Sequence, residues 1–186
     1  MSSVYLVRHG QSMAPKGHMI GSLDYPLSSY GRGQAQELGL RLQGVEFEAI
    51  FASPMSRALE TAQLIAGPSW PNIIVEPALK EISLGLWEGL GKKVVQSLYP
   101  DFWEARGKNP DEVAPPEGES FADLAKRVIP AFERIAAFGR EGTSVLVVAH
   151  QGVNRVILAR ERGLNLSQIL TINQPTCCLT LLRADR

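Results

Sequence analysis

Apolar and polar positions fall into short blocks along this chain, and the blocks change period as they go. The stretch before Arg8, "VYLV", is apolar and rich in β-branched and aromatic residues, which predicts a buried strand. "SSYGRGQAQELGLRLQGV" then sets Ala35, Leu38, Leu42 and Val45 at helical spacing. "FEAIFAS" and "NIIVEP" read as strands. Between them "SPMSRALETAQLIAG" predicts a helix with Ser53 as N-cap, Pro54 at the first helical position and Gly67 just past the end. "ESFADLAKRVIPAFERIAAFG" has Ser120 and Asp123 at capping-box spacing, an apolar stripe of Leu124, Val128, Phe132 and Ile135, and a stop at Gly139. Its Pro130 predicts a kink. Val145 to Ala149 is wholly apolar, as suits the middle of a parallel sheet covered on both faces. A further helix starts near Gly152, and "CCLTLL" reads as the last strand.

Strands alternating with helices predict a three-layer α/β/α sandwich with a mostly parallel sheet. From about 85 to 120 the rhythm loosens, with "NPDEVAPPEGES" and three neighbouring aromatics, Tyr99, Phe102 and Trp103. This reads as a cap-like excursion over the core of one domain spanning 1–186. At 186 residues and 45% hydrophobic content, the chain can bury a sizeable core. Its formal net charge is +0, so no general field attracts nucleic acid or a membrane surface, and any anion must be bound locally. Cys177 and Cys178, the two cysteines, lie in an apolar run and read as small buried hydrophobes. The strand at the start has no basic region or long apolar helix before it, and no apolar run is long enough to cross a bilayer, so a cytoplasmic protein is expected.

The chemistry points to strand ends. "VYLVRHG" and "VLVVAHQG" are both apolar strands that finish on a histidine and a nearby glycine. In an open α/β sheet, ligands collect beyond the carboxyl ends of the strands. If these two strands are neighbours, His9 and His150 face one crevice, with Arg8 beside them. Arg57 sits in the first turn of the helix that follows another strand. Alone, each of these is an ordinary polar residue; two arginines and two histidines at strand ends and helix starts form an anion site suited to phosphate. His18, in a Gly-rich loop, has a weaker claim. The histidines lack metal-ligand spacing, so no metal and no cofactor are expected.

"LVRHGQS", "GSLDYPLSSYGRGQA", "SPMSRALETA", "LKEISLGLWEG", "PEGES" and "VLVVAHQGVNR" resemble, in that order, the blocks of the histidine phosphatase superfamily, the phosphoglycerate mutase-like proteins. The resemblance covers nearly the whole chain. It implies that His9 is the nucleophile, that Arg8 and Arg57 bind the phosphoryl oxygens, that a protonated His150 completes the pocket, and that Glu81 is the proton donor. Each role has a chemical reason. An imidazole can carry the phosphoryl group covalently, cations can hold its equatorial oxygens, and a carboxylic acid can protonate the leaving alkoxide. The resemblance therefore implies a phosphomonoesterase acting on a small phosphorylated metabolite or inorganic phosphate.

The family also contains mutases and proteins that bind without turnover. The excursion here is short, and its Lys92, Lys93, Arg106 and Lys108 include no arginine pair, which favours hydrolysis. All five chemical residues are present, which favours an enzyme. "PEGESFADLAKRV" is most similar to α-ribazole phosphatases and related broad-specificity members. The first loop departs from the family pattern: Gln11 and Ser12 follow the RHG block, and Pro15 stands where an asparagine is usual. Ser12, Lys16 and His18 are therefore expected to take over phosphate contacts, with Gln151 from the second histidine block. Homodimerisation is left open.

Overall fold

A computed structural model describes residues 2–68, 72–139 and 142–184. Five strands, β1 (Ser2–Arg8), β2 (Phe47–Ala52), β3 (Ile74–Val75), β4 (Ser144–Ala149) and β5 (Leu179–Ala184), form one sheet in the order β3-β2-β4-β1-β5. All neighbours run parallel except β5, which lies antiparallel to β1 at the edge.

Successive strand residues point to opposite faces, and both faces are covered. Val4, Leu6, Ala49, Phe51, Val145 and Val147 join the core under α5 (Phe121–Phe138) and α6 (Gln151–Glu161). Val7, Ile50, Ala52, Leu146 and Val148 pack with residues of α1 (Ser29–Arg41) and α2 (Ser56–Ala66). The predicted three-layer sandwich is the observed one. The alternation of faces also explains why β4 reads as unbroken apolar sequence.

Several boundaries differ from expectation. Ser53 is not the cap of α2: the helix opens at Ser56, with Met55 as N-cap and no side-chain cap. Ser53 and Pro54 are spent on the turn from β2, which frees the serine for another task described below. Gly67 does close α2. Val45 lies beyond α1, its N–H donating to the Leu42 carbonyl at 3.1 Å. β3 keeps only two of the residues in "NIIVEP". The cysteines precede β5 in a turn where Cys177 has φ 53°, and both are half-buried free thiols. The capping box of Ser120 and Asp123 is formed in full, and Pro130 sits inside α5, which continues to Phe138.

The excursion holds two short helices, α3 (Lys92–Leu98) and α4 (Pro100–Lys108). Its aromatics divide: Tyr99 and Trp103 pack on the core, whereas Phe102 is 47% exposed. The loop after β1 is zipped to this region by the Met19 N–H to the Leu90 carbonyl (2.9 Å), the Gly89 N–H to the Met19 carbonyl (2.8 Å) and the Lys92 N–H to the Gly17 carbonyl (2.8 Å).

Candidate active site

β1 and β4 are neighbours in register, Arg8 opposite Ala149, so both strands deliver a histidine to one edge of the sheet. The His9 N–H donates to the Ala149 carbonyl at 3.0 Å, and the His9 and His150 rings stand 5.0 Å apart. A glycine must follow His9. A Cβ on Gly10 would lie 2.5 Å from the Gly31 carbonyl oxygen, and one on Gly31 would lie 2.0 Å from that of Gln11. The turn after β1 thus rests directly on the first turn of α1.

His9 is 6% exposed, and its tautomer is set by two partners. Nδ1 faces the Gly10 carbonyl at 2.7 Å, so Nδ1 carries the proton. Nε2 accepts from Arg57 Nε–H at 3.3 Å, which leaves a lone pair on Nε2. Burial, reinforced by the charges of Arg57 and Arg8, pushes the His9 pKa down to about 3. The imidazole is therefore neutral at ordinary pH. Arg57, 2% exposed, is held by the Leu23 carbonyl (2.8 Å), the Gly21 carbonyl (3.2 Å) and the Asp24 carboxylate (3.5 Å). Asp24 also accepts from Ser56 N–H and Oγ–H, fixing the loop to the start of α2.

His150 is fully buried. Its Nε2 meets Ser53 Oγ at 2.7 Å, and that hydroxyl also accepts from the Met55 N–H. The serine read as a helix cap is instead the support of the second histidine. Burial first, then the charges of His9, Arg57 and Arg8, hold the His150 pKa well below its ordinary value. This favours the neutral imidazole, and the protonated form that the resemblance implies needs an anion's charge beside it. His150 Nδ1 and Arg8 Nε are both buried without partners, while Arg8 Nη1 donates to the Gln174 carbonyl. Buried polar atoms without partners are costly, which marks both as groups able to meet a polar ligand.

Glu81 reaches the same site from the segment after β3. Its carboxylate accepts from the Ile82 N–H (2.9 Å), and each oxygen accepts from the Gly152 N–H at 3.1 Å, at the start of α6. A Cβ on Gly152 would lie 2.6 Å from Glu81 Oε1, so this approach needs glycine. Arg127 from α5 holds the segment from outside, donating to the carbonyls of Ala78, Lys80 and Glu81, and is fixed by a two-point pair with Glu119. Nothing in the spacing of Arg127 and Glu81 signals this clamp.

These groups open into a cavity of about 470 Å³. Arg8, His9, Arg57, Glu81, Ser12, His18 and Gln151 line it, so seven of the nine expected residues share one space. His150 lies behind, in ring contact with His9. Lys16 does not line the cavity. It is exposed in the turn closed by the His18 N–H and the Pro15 carbonyl. Trp103 of the aromatic trio lines the cavity; Tyr99 and Phe102 do not. Arg155, Arg106 and Trp87 also line it and were not singled out as site residues. For Arg155 a signal existed: it is four residues after Gln151 and three after Gly152, hence on their face of α6. Among the described residues no cluster of three or more metal-ligating side chains occurs, and no helix is long and apolar enough to cross a membrane.

Comparison with known proteins finds relatives over nearly the whole chain. The sequence profile of the histidine phosphatase superfamily (branch 1) matches residues 4–186. A 2-carboxy-D-arabinitol-1-phosphatase of Triticum aestivum is 34% identical over 181 residues, 96% of this chain but 36% of that relative's length. The adenosylcobalamin/alpha-ribazole phosphatase of Escherichia coli K12 is 30% identical over 162 residues, covering 87% of this chain and 79% of the relative. The solved structure of Bacillus stearothermophilus YhfR superposes with a TM-score of 0.89 at 32% identity, covering 100% of this chain and 92% of that one.

Proposed function

The chain belongs to the histidine phosphatase superfamily, branch 1, and on that premise we propose that it is a metal-independent phosphomonoesterase that works through a phosphohistidine on His9. The observation that carries this reading is the His9 tautomer, with Nδ1–H held by the Gly10 carbonyl and the Nε2 lone pair facing Arg57. A phosphoryl group entering between them takes over the Arg57 Nε–H, which releases the lone pair to attack phosphorus. The N–P bond forms as the ester P–O bond breaks. Arg8 Nε, Arg57 and His150 stabilise the three equatorial oxygens. The dianion also raises the His150 pKa, so this group gains its proton when the charge is present.

The leaving alkoxide takes a proton from Glu81. Because both Glu81 oxygens face the Gly152 N–H, a proton on the carboxyl has to point away from that amide. The resulting carboxylate then takes a proton from water, whose oxygen attacks phosphorus. The N–P bond breaks, its electron pair returns to Nε2, and inorganic phosphate and the alcohol leave. General acid–base help of this kind contributes roughly 10²- to 10⁴-fold.

The substrate class is a small phosphomonoester. Liquid water occupies roughly 30 Å³ per molecule, so a phosphoryl group leaves most of the 470 Å³ for the substrate's body. The substrates named for the two relatives, α-ribazole phosphate and a carboxylated sugar phosphate, are the first to test. Purified protein is expected to hydrolyse p-nitrophenyl phosphate in EDTA, and His9→Ala to lower the rate at least about 10³-fold. Retained turnover in that variant overturns the nucleophile assignment. Exchange between 2- and 3-phosphoglycerate at a rate matching hydrolysis would instead favour a mutase.

A further inference from the structure

Thr61 belongs to the block "SPMSRALETA" and has no part in the chemistry above. It sits in α2, is fully buried and does not line the cavity. Its hydroxyl donates to the Arg57 carbonyl at 2.7 Å. A helical threonine bonding to the carbonyl four residues back is commonplace and carries no message by itself. The same oxygen, however, accepts the Gly10 N–H at 3.0 Å, from a residue 51 positions away. That amide belongs to the peptide that directly follows the His9 ring.

The bonds of Thr61 close a loop around the nucleophile. His9 Nδ1–H donates to the Gly10 carbonyl (2.7 Å), and Gly10 N–H donates to Thr61 Oγ1 (3.0 Å). Thr61 Oγ1–H donates to the Arg57 carbonyl (2.7 Å), and Arg57 Nε–H returns to His9 Nε2 (3.3 Å). Both nitrogens of the His9 ring therefore stand on one closed path. The other end of the His9–Gly10 peptide, the His9 carbonyl, accepts the Cys177 N–H at 3.2 Å, so β5's approach fixes one side and Thr61 ties the other to α2. Gly10 is buried, and without the hydroxyl its N–H would be left without a partner.

We propose that Thr61 is a positioning residue for the phosphoryl step, holding His9 Nε2 and Arg57 Nε at the separation into which the phosphoryl group enters. This rests on the phosphomonoesterase reading above and adds a residue that touches neither substrate nor reacting atoms. Arg57 alone is fixed at its guanidinium by the carbonyls of Leu23 and Gly21; Thr61 couples its backbone to that of the nucleophile. The effect falls on attack by Nε2, and protonation of the leaving group by Glu81 lies outside it.

The test uses Thr61→Val, which matches the side chain's size and removes the hydroxyl, and Thr61→Ser, which keeps the hydroxyl. kcat/KM is measured on p-nitrophenyl phosphate and an alkyl phosphate, with inhibition constants for orthovanadate, which draws a fifth ligand from Nε2, and for inorganic phosphate, which needs only the cations. Thr61→Val should lower kcat/KM on both esters by a common factor, roughly ten- to a hundredfold. It should weaken orthovanadate by a similar factor and inorganic phosphate by less than threefold, and Thr61→Ser should restore wild-type behaviour to within threefold. Thr61→Ala carries the same expectations should Thr61→Val not fold. Wild-type kcat/KM without the hydroxyl, equal weakening of the two anions, or a Thr61→Ser variant as impaired as Thr61→Val overturns the positioning role and leaves the phosphatase intact. Absence of turnover and of orthovanadate binding in the wild type strikes the phosphatase reading itself.

Discussion

Arg8, His9, Arg57 and Glu81 meet the cavity from the end of β1, the start of α2 and the segment after β3, whereas Trp103 and Arg106 meet it from α4, a helix that buries none of its residues completely. The first group is anchored by the centre of the sheet. β1 and β4 are two of its three inner strands, and their register fixes where His9 and His150 emerge. The second group stands on a short element resting on the core through partly buried aromatics such as Tyr99 and Trp103. The difference separates two tasks. Phosphoryl chemistry needs fixed donors at fixed distances, while recognition of the alcohol can vary without disturbing them.

The comparison can be broken by removing a cation from the first group. Arg57→Gln should lower kcat/KM by roughly 10²- to 10³-fold on every phosphomonoester, as loss of a transition-state donor does. Steady-state kinetics on an aryl and an alkyl phosphate check this. A loss confined to one substrate would place Arg57 with the recognition group.

Arg127 sharpens the comparison from outside the cavity. Arg127→Met removes the clamp on the carbonyls of Ala78, Lys80 and Glu81, and a misplaced acid costs roughly ten- to a hundredfold in rate. Because Glu81 is the proposed proton donor to the leaving group, the loss should be larger for an alkyl phosphate than for p-nitrophenyl phosphate, whose leaving group needs little protonation. Equal losses would mean the clamp only stabilises the fold.

The smallest of the three effects concerns stability. Folded His9 has its pKa pushed from 6.5 down to about 3, so between those values the unfolded chain binds more protons than the folded one. Stability is complete above pH 6.5 and falls as pH drops through that window, by about 1.4 kcal/mol per pH unit for this group. His150, displaced in the same direction, adds to the slope. Urea midpoints at pH 7.5 and 5.0 should show the decline, and His9→Gln should flatten part of it. An unchanged slope in that variant would contradict the buried neutral imidazole.

The same division explains what could be read in the sequence. β1 and β4 were legible because unbroken apolar runs ending in histidine have few alternatives, and parallel strands in one sheet send such ends to one edge. Ser53 was misread because a serine before a proline carries the same signal whether it caps a helix or supports a buried ring; its partner is 97 residues away. The Arg127 clamp spans 46 to 49 residues and leaves no local trace. Lys16 was expected at the site because Pro15 stands where the family usually has an asparagine, but it is exposed and does not line the cavity. Arg106 sits among polar surface residues, and its position on the cavity wall distinguishes it from Lys108 two residues on, which pairs with Glu104.

The central claim is that Nε2 of His9 becomes covalently phosphorylated. Rapid denaturation of the protein during turnover of ³²P-labelled substrate should trap label that is acid-labile, stable to base and confined to the peptide containing His9. Turnover at the normal rate with no trapped label, or the same label in His9→Ala, would contradict it.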